Sequence, residues 1–176
     1  MRKLKNEELD RLTAEGFKAA EKTPVVVVLD NVRSMNNVGS AFRTSDAFLI
    51  EKICLCGITA RPPHRDINKT AIGATETVAW EYFETTSQAV AALQADNFQV
   101  VAIEQAEDST MLQDFTPTSS GKYAFVFGNE VFGVEQEVVD VADVVVEIPQ
   151  FGSKHSLNIS VTMGIVLWDY MSKVKL

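Results

Sequence analysis

Three short stretches of this 176-residue chain gather the residue types that could do chemistry. Residues 30–47 read DNVRSMNNVGSAFRTSDA, residues 125–137 read FVFGNEVFGVEQE and residues 148–160 read IPQFGSKHSLNIS. In the first, Asn36 or Asn37 is expected to cap a helix, and Gly39 leaves room for a ligand or a second backbone. Arg43 projects from the helix in a segment otherwise small and apolar, either snorkelling over a packed face or serving a site. The second places Asn129 and Glu130 between Gly128 and Gly133, but no Lys-Ser/Thr follows, so it is not a phosphate-cradling loop. The third sets Lys154, His155, Ser156 and Asn158 at a strand-to-helix crossing, where Ser and Asn suit helix capping. No G-x-G-x-x-G follows a strand, which leaves dinucleotides unsupported. A hydrolase nucleophile at Ser156 lacks the G-x-S-x-G elbow.

These stretches must be held by the elements around them. VVVVLD (25–30) is a continuous apolar run, as in a strand buried on both faces of a parallel sheet. A helix over about 37–48 follows, then the strand KICLCGI and the loop TARPPHRDINK, where the double proline is expected to rule out regular structure. VAWEYF, FQVVAIE, YAFVFG and VVVEIP read as strands, and SQAVAALQAD and EQEVVDVA as helices. A last helix over about 156–173 carries Leu157, Val161, Ile165, Trp168 and Met171 along one stripe. Strands alternating with helices predict an α/β fold, a mostly parallel sheet with helices on both faces. In such sheets ligands bind beyond the carboxyl ends of the strands, where all three stretches fall.

Composition narrows the function classes. Hydrophobic content of 46% with 23% charged residues is ordinary for a globular domain, and no apolar run is long enough to span a bilayer. The start, MRKLKNEELDRL, lacks the apolar core of a secretory signal, so the expected location is cytoplasmic. Cys54 and Cys56 alternate on a strand and fit a buried, reduced pair. No metal site is expected. A net charge of −8 excludes a generally basic nucleic-acid binder but not a local patch. Arg61, His64, Arg65 and Lys69 crowd one loop with a single acid, Asp66. With Arg33, Lys154 and the N-terminal Arg2, Lys3 and Lys5, they are the candidate phosphate contacts.

Taken together and in order, the three stretches resemble the SpoU (TrmH-like) branch of the SPOUT methyltransferases. Asn37 and Arg43 match the first family motif. Gly128, Asn129, Glu130 and Gly133 match the second, and Ser156, Leu157 and Asn158 the third. The likeness covers about residues 24 to 173, leaving residues 1–23 as a short N-terminal helical extension and 24–176 as the methyltransferase domain.

This resemblance implies an RNA 2′-O-ribose methyltransferase that uses S-adenosylmethionine, with a deep trefoil knot in the C-terminal third. It places the cofactor among Ile103, Glu104, Gly128, Asn129, Val131, Gly133, Ile148, Gln150, Ser156 and Leu157. It implies a homodimer in which Arg43 approaches the cofactor of the other subunit, while Asn37, Glu130, Ser156 and Asn158 orient the catalytic site. Arg43 would act as base or as electrostatic partner of the developing alkoxide. A guanidinium held neutral at pH 7 costs about 8 kcal/mol, which keeps the second role open. The compact chain favours tRNA over rRNA as the target. A catalytically silent scaffold of the same fold is the rival from another class.

Overall fold

The computed structural model describes residues 1–176, with the side chains of all but Asn6. The order of elements is α1 (Ala14–Ala19), β1 (Thr23–Asp30), α2 (Met35–Ala47), β2 (Ile50–Cys56), α3 (Arg65–Ala71), β3 (Ala79–Phe83) and α4 (Thr86–Ala95). Then come β4 (Gln99–Ile103), β5 (Thr110–Met111), β6 (Tyr123–Phe127), α5 (Gln136–Val141), β7 (Val144–Glu147) and α6 (Ile159–Val174). All seven strands form one sheet, in the order β3-β2-β1-β6-β4-β7-β5, and every pairing is parallel.

The valine run of β1 lies at the sheet's centre because it can be buried on both sides. Val25, Val27 and Leu29 join a core with Phe17, Phe42, Ile67 and Leu167, from α1, α2, α3 and α6. Val26 and Val28 face the other way, onto Ala89, Val90, Leu93 and Val138 of α4 and α5. Alternate residues of one strand therefore serve two cores, and the sheet is covered on both faces as expected. Cys54 and Cys56 are free and buried in the second core.

Parallel pairing sends every strand's carboxyl end to one edge. The order β1-β6-β4-β7 then sets four non-consecutive loops side by side, with β6 filling the slot between β1 and β4 and β7 that between β4 and β5. This adjacency positions the site.

Four local expectations are corrected. Ser34, not Asn36 or Asn37, caps α2, its hydroxyl accepting from Asn37 N at 3.3 Å. The double proline does not keep its loop irregular. It is followed at once by α3, which His64 caps by accepting from Asp66 N at 3.1 Å, so Arg65 and Lys69 lie on a helix. Proline disfavours helix interiors and not a start two residues on. The last helix begins at Ile159, leaving Ser156 and Leu157 outside it. Its buried face is Met163, Val166, Leu167 and Tyr170, so the stripe of Val161, Ile165 and Trp168 looks outward. The pair β5–β7 had no sequence signal because β5 is only two residues long.

Gly39 is where α2 meets α3. A Cβ there would collide with Thr70 Oγ1 and the carbonyl of Ile67, so a second backbone is what this glycine admits. Gly39→Ala is expected to cost about 1–3 kcal/mol by overpacking. Urea unfolding checks this, and a midpoint equal to wild type would contradict the close approach.

Candidate active site

The loop after β6 is built to stand rigidly. Asn129 and Gly133 exchange backbone hydrogen bonds, N to O at 2.8 and 2.9 Å. The Asn129 side-chain oxygen accepts from Val131 N at 2.9 Å and Phe132 N at 3.2 Å, while its Nδ2 donates to Asn31 O at 2.7 Å. Gly133 takes φ +71°, a left-handed conformation that glycine adopts without penalty. A Cβ on Gly133 would strike the Glu104 carboxylate, which accepts from Val134 N and Gln105 N at 2.8 Å each. A Cβ on Gly128 would strike the backbone of Gly133 and Val134. Gly128 is thus required by the loop's own closure, before any ligand is considered.

That closure carries Glu130 to the amino end of α2. Its carboxylate accepts from the backbone N–H groups of Arg33 and Ser34 and from Asn37 Nδ2, each at 2.9 Å. The first N–H groups of a helix lack intrahelical partners and favour an anion, so the placement is complementary in donors and in dipole. Partial desolvation pushes the Glu130 carboxyl up, but these donors outweigh it and hold it below the usual carboxylate range. It is therefore ionised at neutral pH, an acceptor that orients and not a proton donor.

Asn37 continues the chain of contacts. Its side-chain oxygen accepts from Asn158 Nδ2 at 3.3 Å. Asn158 in turn caps α6, its oxygen accepting from Ser160 N at 2.9 Å and Ser160 Oγ at 2.6 Å. One polar line, Glu130–Asn37–Asn158, thereby joins the three motifs. The capping expected of the 148–160 stretch is real, and the other end of the same amide reaches the site. Arg43 stands apart. It is exposed on α2, about 9 Å along the helix axis from Asn37, and its guanidinium donates to no partner among the described residues.

Beside this line, between the ends of β4, β6 and β7 and the segment leading into α6, lies a cavity of about 520 Å³. All ten residues proposed for the cofactor line it, from Ile103 and Glu104 to Ser156 and Leu157. Gln105, His155 and Thr162 line it too and were not anticipated. Gln105 Nε2 donates to His155 O at 3.0 Å, tying the loop after β4 to the one after β7. Thr162 could have been found, since four residues beyond Asn158 is the same helix face. Three carboxylates, Glu104, Glu130 and Glu147, stand in the wall, and no Lys or Arg does.

The candidate RNA contacts are dispersed. Arg61 lies over the Tyr82 ring at 4.2 Å. Lys69 is paired with Asp66 at 2.6 Å, which offsets its charge, while Arg65 is exposed on α3. Arg33 flanks Glu130, and Lys154 is exposed between β7 and α6. No group of three or more His, Cys, Asp or Glu able to hold a metal occurs among the described residues, nor any helix long and apolar enough to cross a membrane.

An all-parallel α/β sheet with a ligand-sized cavity across its carboxyl edge, walled by the second and third of these motifs and joined to the first through Asn37, defines the class. The chain belongs to the SpoU rRNA Methylase family, whose model matches residues 24–168. It is 27% identical over 144 residues to the 23S rRNA (guanosine-2′-O-)-methyltransferase RlmB of Neisseria meningitidis, covering 82% of this chain and 56% of that one. The chain thus spans a little over half the length of this curated relative. Among solved structures, it superposes on an AdoMet-bound rRNA methyltransferase from Sinorhizobium meliloti with a TM-score of 0.79 and 28% identity, covering 86% of this chain and 57% of that one. The TrmH/SpoU tRNA modifying enzyme of A. aeolicus gives 0.79 and 26%, covering 91% and 79%.

Glu130→Gln tests the polar line through pH. The folded carboxyl lies below its unfolded value, so its stabilisation is full above the usual carboxylate range and fades as pH falls through the depressed folded value. Solvent reaches this group, which limits the effect to about 1 kcal/mol near neutrality. Unfolding of both proteins from about pH 7 to pH 3 should show the gap between them closing on acidification. A gap constant with pH would refute this role for the charge.

Proposed function

We propose that this chain transfers a methyl group from S-adenosylmethionine to a ribose 2′-OH of RNA. The observation that carries the reading is the Glu130–Asn37–Asn158 line along one side of the cavity. The cavity fits the cofactor chemically. Its volume of about 520 Å³ is in the range of small-molecule sites. A wall with three carboxylates and no Lys or Arg suits a cationic sulfonium and disfavours a phosphate-bearing nucleotide. Ile148 and Leu157 offer apolar faces for an adenine ring. Family membership and the AdoMet-bound relative support the same cofactor.

The bound cofactor would supply an electrophilic methyl group, and the protein's share is position and electrostatics. Asn37 and Asn158 would orient the site through the contacts described, with Ser156 on the cavity wall. Arg43 is assigned to stabilise the developing alkoxide as a cation. Its side chain is exposed on α2 and makes no hydrogen bond among the described residues. Because Arg43 does not line the cavity of its own chain, we place it at the cavity of a second subunit. The outward stripe of α6 supports a homodimer. Val161, Ile165 and Trp168 are 51%, 38% and 55% exposed on one helix face, an apolar surface that a second copy would cover. The trefoil passage of the family is proposed for the segment from β6 onward, and the reaction is placed in the cytoplasm.

The target RNA has two readings. Ribosomal RNA is favoured by the curated relative's name, and tRNA by the A. aeolicus enzyme, of which 79% is matched. The candidate cations in either case are Arg33, Arg61, Arg65, Lys69 and Lys154.

Labelled cofactor incubated with total RNA, then separated into tRNA and rRNA, should deliver label to one fraction as a 2′-O-methyl nucleotide. Label in neither fraction would replace the enzyme with the silent scaffold. For the composite site, Arg43→Ala chains mixed with chains disabled in the cavity by Leu157→Arg should regain activity that neither has alone. The absence of any regain, or a monomer by sedimentation at micromolar protein, would exclude an Arg43 acting across subunits.

A further inference from the structure

A second cavity, of about 340 Å³, opens on the far side of the Gly128–Gly133 loop. Asn129, Phe132 and Gly133 line both cavities, so one thin wall separates them. The remaining lining is Asn31, Arg33, Ile58 and Glu135. None of the reactions discussed uses this space.

Its chemistry is specific. Phe132 is 84% exposed and Ile58 66%, so two large apolar side chains face an open concavity. Burying such side chains is favourable, and the free protein forgoes that gain. The ring is not on a slack loop, because the paired Asn129–Gly133 bonds and the Asn129 side chain hold its backbone. Across from it are polar groups with capacity to spare. Asn31 Nδ2 donates to Glu135 Oε1 at 2.8 Å, and the second Glu135 oxygen has no partner among the described residues. The Arg33 side chain likewise donates to none, while its backbone N–H is fixed on Glu130 at 2.9 Å. A rigid aromatic face, an acceptor at its rim and a free guanidinium beside it are what a nucleotide needs. The base stacks, its edge finds an acceptor, and its phosphate finds a cation.

We propose that this second cavity receives an unstacked base of the RNA substrate, laid on Phe132, with its phosphate held by Arg33. The proposal rests on the reading of the chain as an RNA methyltransferase and adds the subsite that presents the strand. Sharing a wall with the cofactor cavity, it anchors a nucleotide close to the ribose being methylated. Base stacking tolerates any sequence, so this subsite positions the strand, while Glu135 favours a base edge that offers an N–H donor.

The test uses the full chain and a single-stranded RNA nonamer carrying one 2-aminopurine, whose fluorescence falls when it stacks on an aromatic ring. Wild type should quench the probe. Phe132→Ser should abolish the quenching and weaken binding by about 5- to 100-fold, the range for loss of one stacked base. Phe132→Tyr should retain both. Ile58→Ser, which touches only the second cavity, should weaken probe binding while S-adenosylhomocysteine binding by calorimetry stays at the wild-type value. No quenching by wild type, or undiminished quenching and affinity in Phe132→Ser, would overturn the proposal. So would a Phe132→Ser protein that binds the probe normally but no longer self-associates, since the patch would then be a protein interface. If methyl transfer to RNA proceeds with unchanged kcat/KM in Phe132→Ser, the subsite is wrong and the enzyme stands. If quenching depends on Phe132 but no RNA accepts a methyl group, the subsite stands and the enzyme reading falls.

Discussion

The site depends on one carboxylate set at the start of one helix. Glu130 draws the backbone N–H groups of Arg33 and Ser34 and the amide of Asn37 onto a single anion, and so pins the loop after β6 to the loop after β1. Segments 93 residues or more apart in the chain are joined there. One of the donors, the N–H of the cap residue Ser34, is among those a helix leaves unpaired, so the contact helps satisfy the start of α2 while it assembles the site.

The glycines gain meaning in this setting. Gly128 and Gly133 are adjacent across a closed loop, and neither could carry a side chain without displacing backbone or the Glu104 carboxylate. Their role is to let the loop shut tightly enough for Glu130 to reach α2 and for Phe132 to stand out from it. A ligand benefits from that geometry and is not its cause. The buried Asp30 reinforces it from behind, accepting from Thr86 Oγ1 at 2.5 Å and from Glu135 N at 2.8 Å. This ties the loop after β6 to the end of β1 a second time. A wall between two cavities is thereby braced at both ends.

Charge is arranged with the same economy. The protein is acidic overall, and the principal cavity is walled by carboxylates. An anionic polymer would be repelled by that wall, and a cationic cofactor attracted to it. The cations able to meet phosphate therefore sit off the cavity, and two of those in the 61–69 segment are already engaged, Arg61 with Tyr82 and Lys69 with Asp66. Arg33 is different, because its backbone belongs to the Glu130 anchor while its side chain has no partner among the described residues.

The sequence by itself determined the order of strands and helices except for α3 and β5, because the valine runs of β1 and β7 and the spacing within α2 and α4 are local periodic signals. It also determined which loops matter, since the three polar stretches follow strand ends and match one family's motifs. Its local errors came where a short-range signal was overridden. Ser34 caps α2 ahead of two asparagines, α3 begins directly after a double proline, and the stripe of α6 faces outward. What only the tertiary structure decided is who meets whom: β6 between β1 and β4, Asn158 against Asn37 across 121 residues, and Gly128 against the backbone of Gly133 and Val134. Such contacts leave no periodic trace in the chain. They follow from packing strands in a non-sequential order, and the three motifs become one site only when that packing is complete.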